Sequence, residues 1–124
     1  MSQLLAIAAG GSIGAVMRYL VSTSVYSYLG KGFPYGTLVV NVLGSLAMGL
    51  LYELFLQRLS VSPEVRAVLL VGFLGAFTTF STFSIETIHL IEQGELLKAI
   101  SNVLLSVILC VLAAWCGLQL ARQL

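Results

Sequence analysis

The chain has 124 residues, 59% of them hydrophobic and only 9% charged, with a mean hydropathy of +1.03 and a formal net charge of +1. A soluble fold of this size cannot bury so much apolar surface, so composition excludes a water-soluble domain and points into lipid. The near-neutral charge, with no basic cluster, offers nothing for nucleic acid or anionic headgroups to bind.

A hydrocarbon core roughly 30 Å thick calls for helices of about 20 apolar residues. Four such stretches follow one another with almost nothing left over, so residues 1–124 read as a single all-α transmembrane domain without internal repeats. The first covers about 4–29. Its start lacks the basic region of a secretory signal and its apolar run is too long for one, which predicts a retained helix. Gly30, Lys31, Gly32 and Pro34 end it. The second runs over about 37–57 and is followed by a connection containing Arg58, Ser60, Ser62 and Pro63. The third extends over about 65–91, closed by Gly94, and the fourth over about 97–121. Cys110 and Cys116 lie on different faces of that last helix, which argues against a disulfide or a shared metal site.

Close helix contacts in lipid need small residues. Gly10 with Gly14, Ser45 with Gly49, Gly72 with Ala76, and Ala113 with Gly117 give each stretch a candidate packing face. Orientation is weakly specified, because one side carries Arg58, Arg66 and Arg122 and the other Lys31 and Lys98. That near balance permits insertion either way, hence a dual-topology chain and an antiparallel dimer. Four short spans also enclose little interior, a second argument for assembly.

Polar groups inside these spans carry the sharper signal, because hydrocarbon penalises an unpartnered donor or charge. Thr37, Asn41 and Ser45 recur every four residues in the second helix, and Asn102, Ser106 and Cys110 do so in the fourth. Two such stripes predict a lined path, against the alternative that hydroxyls bond their own helix and Asn41 ties two helices together. The third span reads GFLGAFTTFSTFS from Gly72 to Ser84, a pattern expected to break near 75–81, with Thr78, Thr79, Ser81 and Thr82 hydroxyls available to freed backbone groups. A break exposes carbonyls on one half, suited to a cation, and N–H groups on the other, suited to an anion. Phe77, Phe80 and Phe83 recur on one face, and an aromatic edge attracts an anion without trapping it.

Of the charges, Arg18 sits deep in the first span, as an anion attractor in a wet vestibule or as a packing partner for a carboxylate. Glu86 is expected to pair with a donor near the pore mouth, while His89 and Glu53 fall at the membrane interface. One histidine and no aspartate leave no metal cluster or Ser/His/Asp set, so the chain is not expected to be an enzyme.

The stretches GFLGAFTTFSTFSIE (Gly72 to Glu86), GGSIGAVMRY (Gly10 to Tyr19) and GTLVVNVLGS (Gly36 to Ser45) together resemble the bacterial Fluc/CrcB fluoride ion channel family over essentially the whole chain. The resemblance implies four transmembrane helices with a broken third, in a dual-topology antiparallel homodimer whose two pores export toxic fluoride passively across the inner membrane. It places Phe80, Phe83, Asn41, Ser81, Thr82 and Ser106 along the pore, to which the stripe on the second helix adds Thr37. It also implies a structural Na+ at the dimer interface, held by the backbone carbonyls of Gly75 and Thr78. The partners expected are therefore fluoride, a second copy and lipid, with no nucleic acid. A proton-coupled multidrug exporter of similar size would need an acid in the first helix, where this chain has Arg18. A noncatalytic scaffold subunit would have no use for an interrupted helix.

Overall fold

The computed structural model describes residues 1–124. Lipid offers backbone groups no hydrogen bonds, so a spanning chain satisfies them internally, here through helices. They are α1 (Ser2–Leu29), α2 (Tyr35–Arg58), α3 (63–77), α4 (Phe80–Glu92) and α5 (Leu96–Gln123). α3 and α4 lie in one membrane span, Pro63–Glu92, so four helical spans are long and apolar enough to cross a bilayer. The protein is a multi-pass membrane protein. Only 20 of 124 residues are buried, and the leucines, isoleucines and valines of α5 point largely outward, as lipid-facing or subunit-facing surface would.

Local chemistry sets the ends. Gly30 closes α1 with φ 81 and Gly94 follows α4 with φ 78, a left-handed backbone that side chains with a Cβ rarely adopt. α2 begins at Tyr35, directly after Pro34, two residues ahead of the apolar run. α3 likewise begins ahead of its run, because the Ser62 hydroxyl accepts the Val65 N–H at 3.2 Å and Pro63 fills the first helical position, where its missing N–H costs nothing.

Polar contacts between distant segments fix the up-and-down order. At one end the Ser2 hydroxyl donates to Glu64 at 3.0 Å, Arg122 pairs with Glu53 at 3.0 Å, and Arg58 donates to the Arg122 carbonyl. The N-terminus, the connection after α2 and the C-terminus therefore share one side. At the other, Lys98 donates to the Gly32 carbonyl at 3.1 Å, joining the two remaining connections.

Two helix pairs are packed backbone to backbone. A Cβ on Gly10 or Gly14 would run into the α3 main chain at Val68 and Phe73, and one on Gly72 would come within 2.7 Å of the Ile7 carbonyl oxygen. Against this contact α3 takes wider π-helical hydrogen bonding over Ala67–Leu74, where the sequence predicted an ordinary helix. In the α2–α5 pair, Gly49 lies on the Ala114 carbonyl and Gly117 on the Leu46 carbonyl. The paired small residues thus put α1 on α3 and α2 on α5, at separations only glycine allows. α4 meets α5 through a polar bond, Asn102 Nδ2 to Thr87 Oγ1 at 2.9 Å.

Candidate ion pathway

Between Phe77 and Phe80 the backbone leaves the helical region, with Thr78 at φ −86, ψ 158 and Thr79 at φ −151, ψ 114. The last helical turn before it is closed twice at the Leu74 carbonyl, by the Thr78 N–H at 3.2 Å and its hydroxyl at 3.0 Å. In a continuous helix the Thr79 N–H would donate to the Gly75 carbonyl. Here it donates to Asn41 Oδ1 at 2.7 Å, while Asn41 Nδ2 donates to the Thr79 carbonyl at 3.0 Å. The Gly75 carbonyl is thereby released. The next carbonyl, Ala76, is taken by Arg18 Nε at 3.0 Å. Arg18 thus pairs with a main-chain carbonyl, not with a carboxylate.

On the far side of the turn, the Thr79 side chain caps α4. Its Oγ1 accepts the Thr82 N–H at 3.3 Å and donates to the Thr82 hydroxyl at 2.9 Å. Gly44, three residues along α2 from Asn41, lets the turn lie against α2, because a Cβ there would overlap Thr78 Cγ2 and press on the Phe77 ring at 3.3 Å. Carbonyls ending α3 and N–H groups starting α4 therefore meet at one level, the first carrying partial negative charge and the second partial positive charge.

Beside this turn a groove of about 410 Å³ runs between α2, α4 and α5. It brings together Asn41, Thr78, Phe80, Phe83 and Ser106 of the sequence-predicted residues, joined by Ser45 and Cys110 of the two stripes. The Phe80 and Phe83 rings lie 5.3 Å apart, tilted by 46°. Phe83 is packed inside, whereas Phe80 is 77% exposed in the single chain. The other predicted residues do not line this groove. Thr37 is buried one turn along α2 from Asn41, its Oγ1 3.5 Å from the Tyr26 hydroxyl. Ser81 lies on the other flank of Phe80, in a shallow depression with Ser84, Ile85 and Ile88. Thr82 is engaged with Thr79, and Gly75 and Arg18 lie outside the lining.

Two contributions were not drawn from the sequence. Thr79 is the partner that Asn41 holds by both main-chain groups, whereas the pattern gave only a hydroxyl among several. Tyr26 donates to Glu86 Oε2 at 2.9 Å and is the donor expected for that carboxylate. Nothing in the α1 sequence separates Tyr26 from Tyr28, since tyrosines at a span end are ordinary interfacial residues.

The family model for CrcB-like protein, Camphor Resistance (CrcB), matches residues 5–118. The chain belongs to the CrcB family. Among CrcB relatives, a protein of Magnetococcus marinus named fluoride-specific ion channel FluC is 56% identical over 120 residues, covering 97% of this chain and 98% of the relative. A FluC of Geobacter sulfurreducens is 51% identical over 124 residues, 100% of both chains. A FluC of Methylococcus capsulatus is 57% identical over 121 residues, 98% of this chain, which spans about half (53%) of that longer protein. The span matched by the CrcB model takes in every residue lining the groove.

Proposed function

We propose that this CrcB chain is a fluoride-selective channel of the bacterial inner membrane, working passively as an antiparallel dual-topology homodimer with two pores. The observation that carries the reading is the Asn41–Thr79 clasp beside the Phe80 and Phe83 rings, in a chain whose full-length relatives are named fluoride-specific ion channels. A channel performs no covalent step, and no enzymatic residue is assigned.

Fluoride is small and strongly hydrated, so a pore must replace its water with donors that bind weakly enough to release it. The Asn41 amide has two N–H bonds, of which one is given to the Thr79 carbonyl and the other remains for the groove. The edges of Phe80 and Phe83 add further positive partial charge, and the N-terminal end of α4 carries the positive end of its helix dipole. Ser106 lines the groove with a hydroxyl that would turn from Asn102 Oδ1, 3.5 Å away, to meet an ion. No carboxylate lines the groove to repel an anion.

The groove is open in one chain, and the exposed Phe80 ring at its rim supports closure by a second copy. In an antiparallel pair, the flank of Phe80 that carries Ser81 faces the partner's path, which gives Ser81 a place in the second pore. Thr37 and Thr82 then hold the walls through Tyr26 and Thr79, and Arg18 fixes the end of α3 beside the vestibule. The Gly75 carbonyl, deprived of the Thr79 N–H, and the Thr78 carbonyl in the extended turn fit a hard monovalent cation such as Na+. A two-fold axis through that point would supply the same two oxygens from each copy. Such an ion would neutralise the carbonyl ends and hold the two chains together.

The test is efflux from liposomes holding purified protein. Fluoride is released, chloride is retained and no proton gradient is needed. Equal release of both halides, or release of neither, overturns the assignment.

A further inference from the structure

Glu86 stands three residues beyond Phe83 on α4, and residues so spaced are neighbours on one side of a helix. A free carboxylate there would lie within reach of the face that carries Phe83, where its charge would oppose an anion. It does not line the groove. Its Oε2 accepts the Tyr26 hydroxyl at 2.9 Å, and its Oε1 is buried with no hydrogen-bond partner. One phenol is therefore the carboxylate's only hydrogen-bonding anchor, and an ionised carboxylate can only accept.

The phenol itself is held firmly. The Tyr26 ring lies on the bare backbone of Gly36, where a Cβ would come within 2.5 Å of Cε2 and 2.8 Å of Cδ2. Its oxygen sits 3.5 Å from Thr37 Oγ1, at the head of the stripe that continues to Asn41. α1 supplies the phenol, α2 the glycine seat and the threonine, and α4 the carboxylate, so three elements converge on one hydrogen bond. With the Tyr26 hydroxyl as its one protein donor, the carboxylate takes its direction from that phenol.

We infer that Tyr26 is a positioning residue of the ion path, whose hydroxyl pins the Glu86 carboxylate toward α1 and α2 and keeps its charge off the Phe83 face of α4. This rests on the fluoride-channel reading. Tyr26 touches no permeating ion and acts through Glu86 alone, so its effect on flux depends on the charge at position 86.

Fluoride efflux from liposomes is measured for wild type, Y26F, E86Q and Y26F/E86Q, each checked for monodisperse elution. Y26F keeps the ring and removes the anchor, and is expected to slow efflux roughly tenfold by releasing a charge beside the path. In the E86Q background, where no charge remains to be released, the same substitution is expected to change efflux by less than about twofold. E86D provides the converse, since a carboxylate one methylene shorter cannot reach Tyr26, and slow efflux is expected with the phenol intact. That variant carries the test should Y26F fail to fold. Y26F at the wild-type rate, Y26F equally slow in both backgrounds, or E86D at the wild-type rate overturns the pin while leaving the channel reading intact. Wild-type vesicles that release no fluoride overturn both.

Discussion

Asn41 holds Thr79 from both sides, accepting its N–H at 2.7 Å and donating to its carbonyl at 3.0 Å, so that one side chain replaces the two helical bonds lost at the turn. Each main-chain group left unmet in a dry interior costs about 1–3 kcal/mol. Asn41→Leu is therefore expected to lower stability by about 2–4 kcal/mol and to abolish fluoride efflux. Asn41→Asp keeps the acceptor but turns the donor into a second oxygen facing the Thr79 carbonyl, and should fail similarly. Thermal unfolding in detergent, paired with liposome efflux, checks both, and a fully stable, conducting Asn41→Leu protein would contradict the clasp.

The glycine contacts give a prediction with its own control. Gly49→Ala places a methyl group on the Ala114 carbonyl, and Gly14→Ala places one on the Phe73 main chain, neither of which can yield without parting two helices. Each is expected to cost about 1–3 kcal/mol. Gly11→Ala meets only the Gly72 oxygen at 3.8 Å, an ordinary contact, and should be tolerated. Unfolding midpoints of the three variants in one detergent decide the matter, and loss of stability at Gly11 equal to that at Gly49 would refute the packing described.

Much of this arrangement was legible in the residues, and the remainder was hidden for physical reasons. Spans follow from apolar length, which lipid imposes directly. The glycine spacings named the close-packed faces but not their partners, because a small residue in one helix says nothing of which backbone fills the space. Asn41 and the Thr78–Thr79 pair each stood out, yet they are 38 residues apart, and their hydrogen bond is a tertiary fact. Of the α5 stripe, Ser106 and Cys110 line the groove, whereas Asn102 is only 2% exposed and faces Thr87, so period four marks an inward face without saying what each residue meets. Tyr26 was invisible because its role lies wholly in Glu86, 60 residues on.

The two phenylalanines separate stability from conduction. Phe80 is 77% exposed in the single chain, so Phe80→Leu removes little packing within it, and the stability of a chain separated from its partner should change by no more than about 0.5 kcal/mol. Phe83 is packed inside, and Phe83→Leu keeps an apolar side chain of lesser volume at a cost of about 1 kcal/mol. Both remove a polarised ring edge worth about 0.5–1.5 kcal/mol to an adjacent group. Fluoride efflux is expected to fall between about twofold and about tenfold in each, which is that energy applied to the barrier. Unchanged efflux in both would remove the rings from the path.

Half-buried Asn41 and buried Asn102 should differ in consequence although each joins two helices. Asn41 supports main-chain groups that have no other partner at the turn, whereas Asn102 Nδ2 donates to a Thr87 hydroxyl that already donates to the Phe83 carbonyl at 2.8 Å. Removing Asn102 leaves Thr87 bonded. It also releases the Ser106 hydroxyl, which now donates to Asn102 Oδ1 at 3.5 Å, to turn fully into the groove. Interhelical side-chain bonds in lipid average about 0.6 kcal/mol, so Asn102→Leu is expected to cost roughly 1 kcal/mol and to leave fluoride efflux within about threefold of wild type. The claim lies in the order: Asn41→Leu must be worse than Asn102→Leu in both unfolding and efflux, and the reverse order would mean that the α4–α5 seam, not the Thr79 turn, holds the path open.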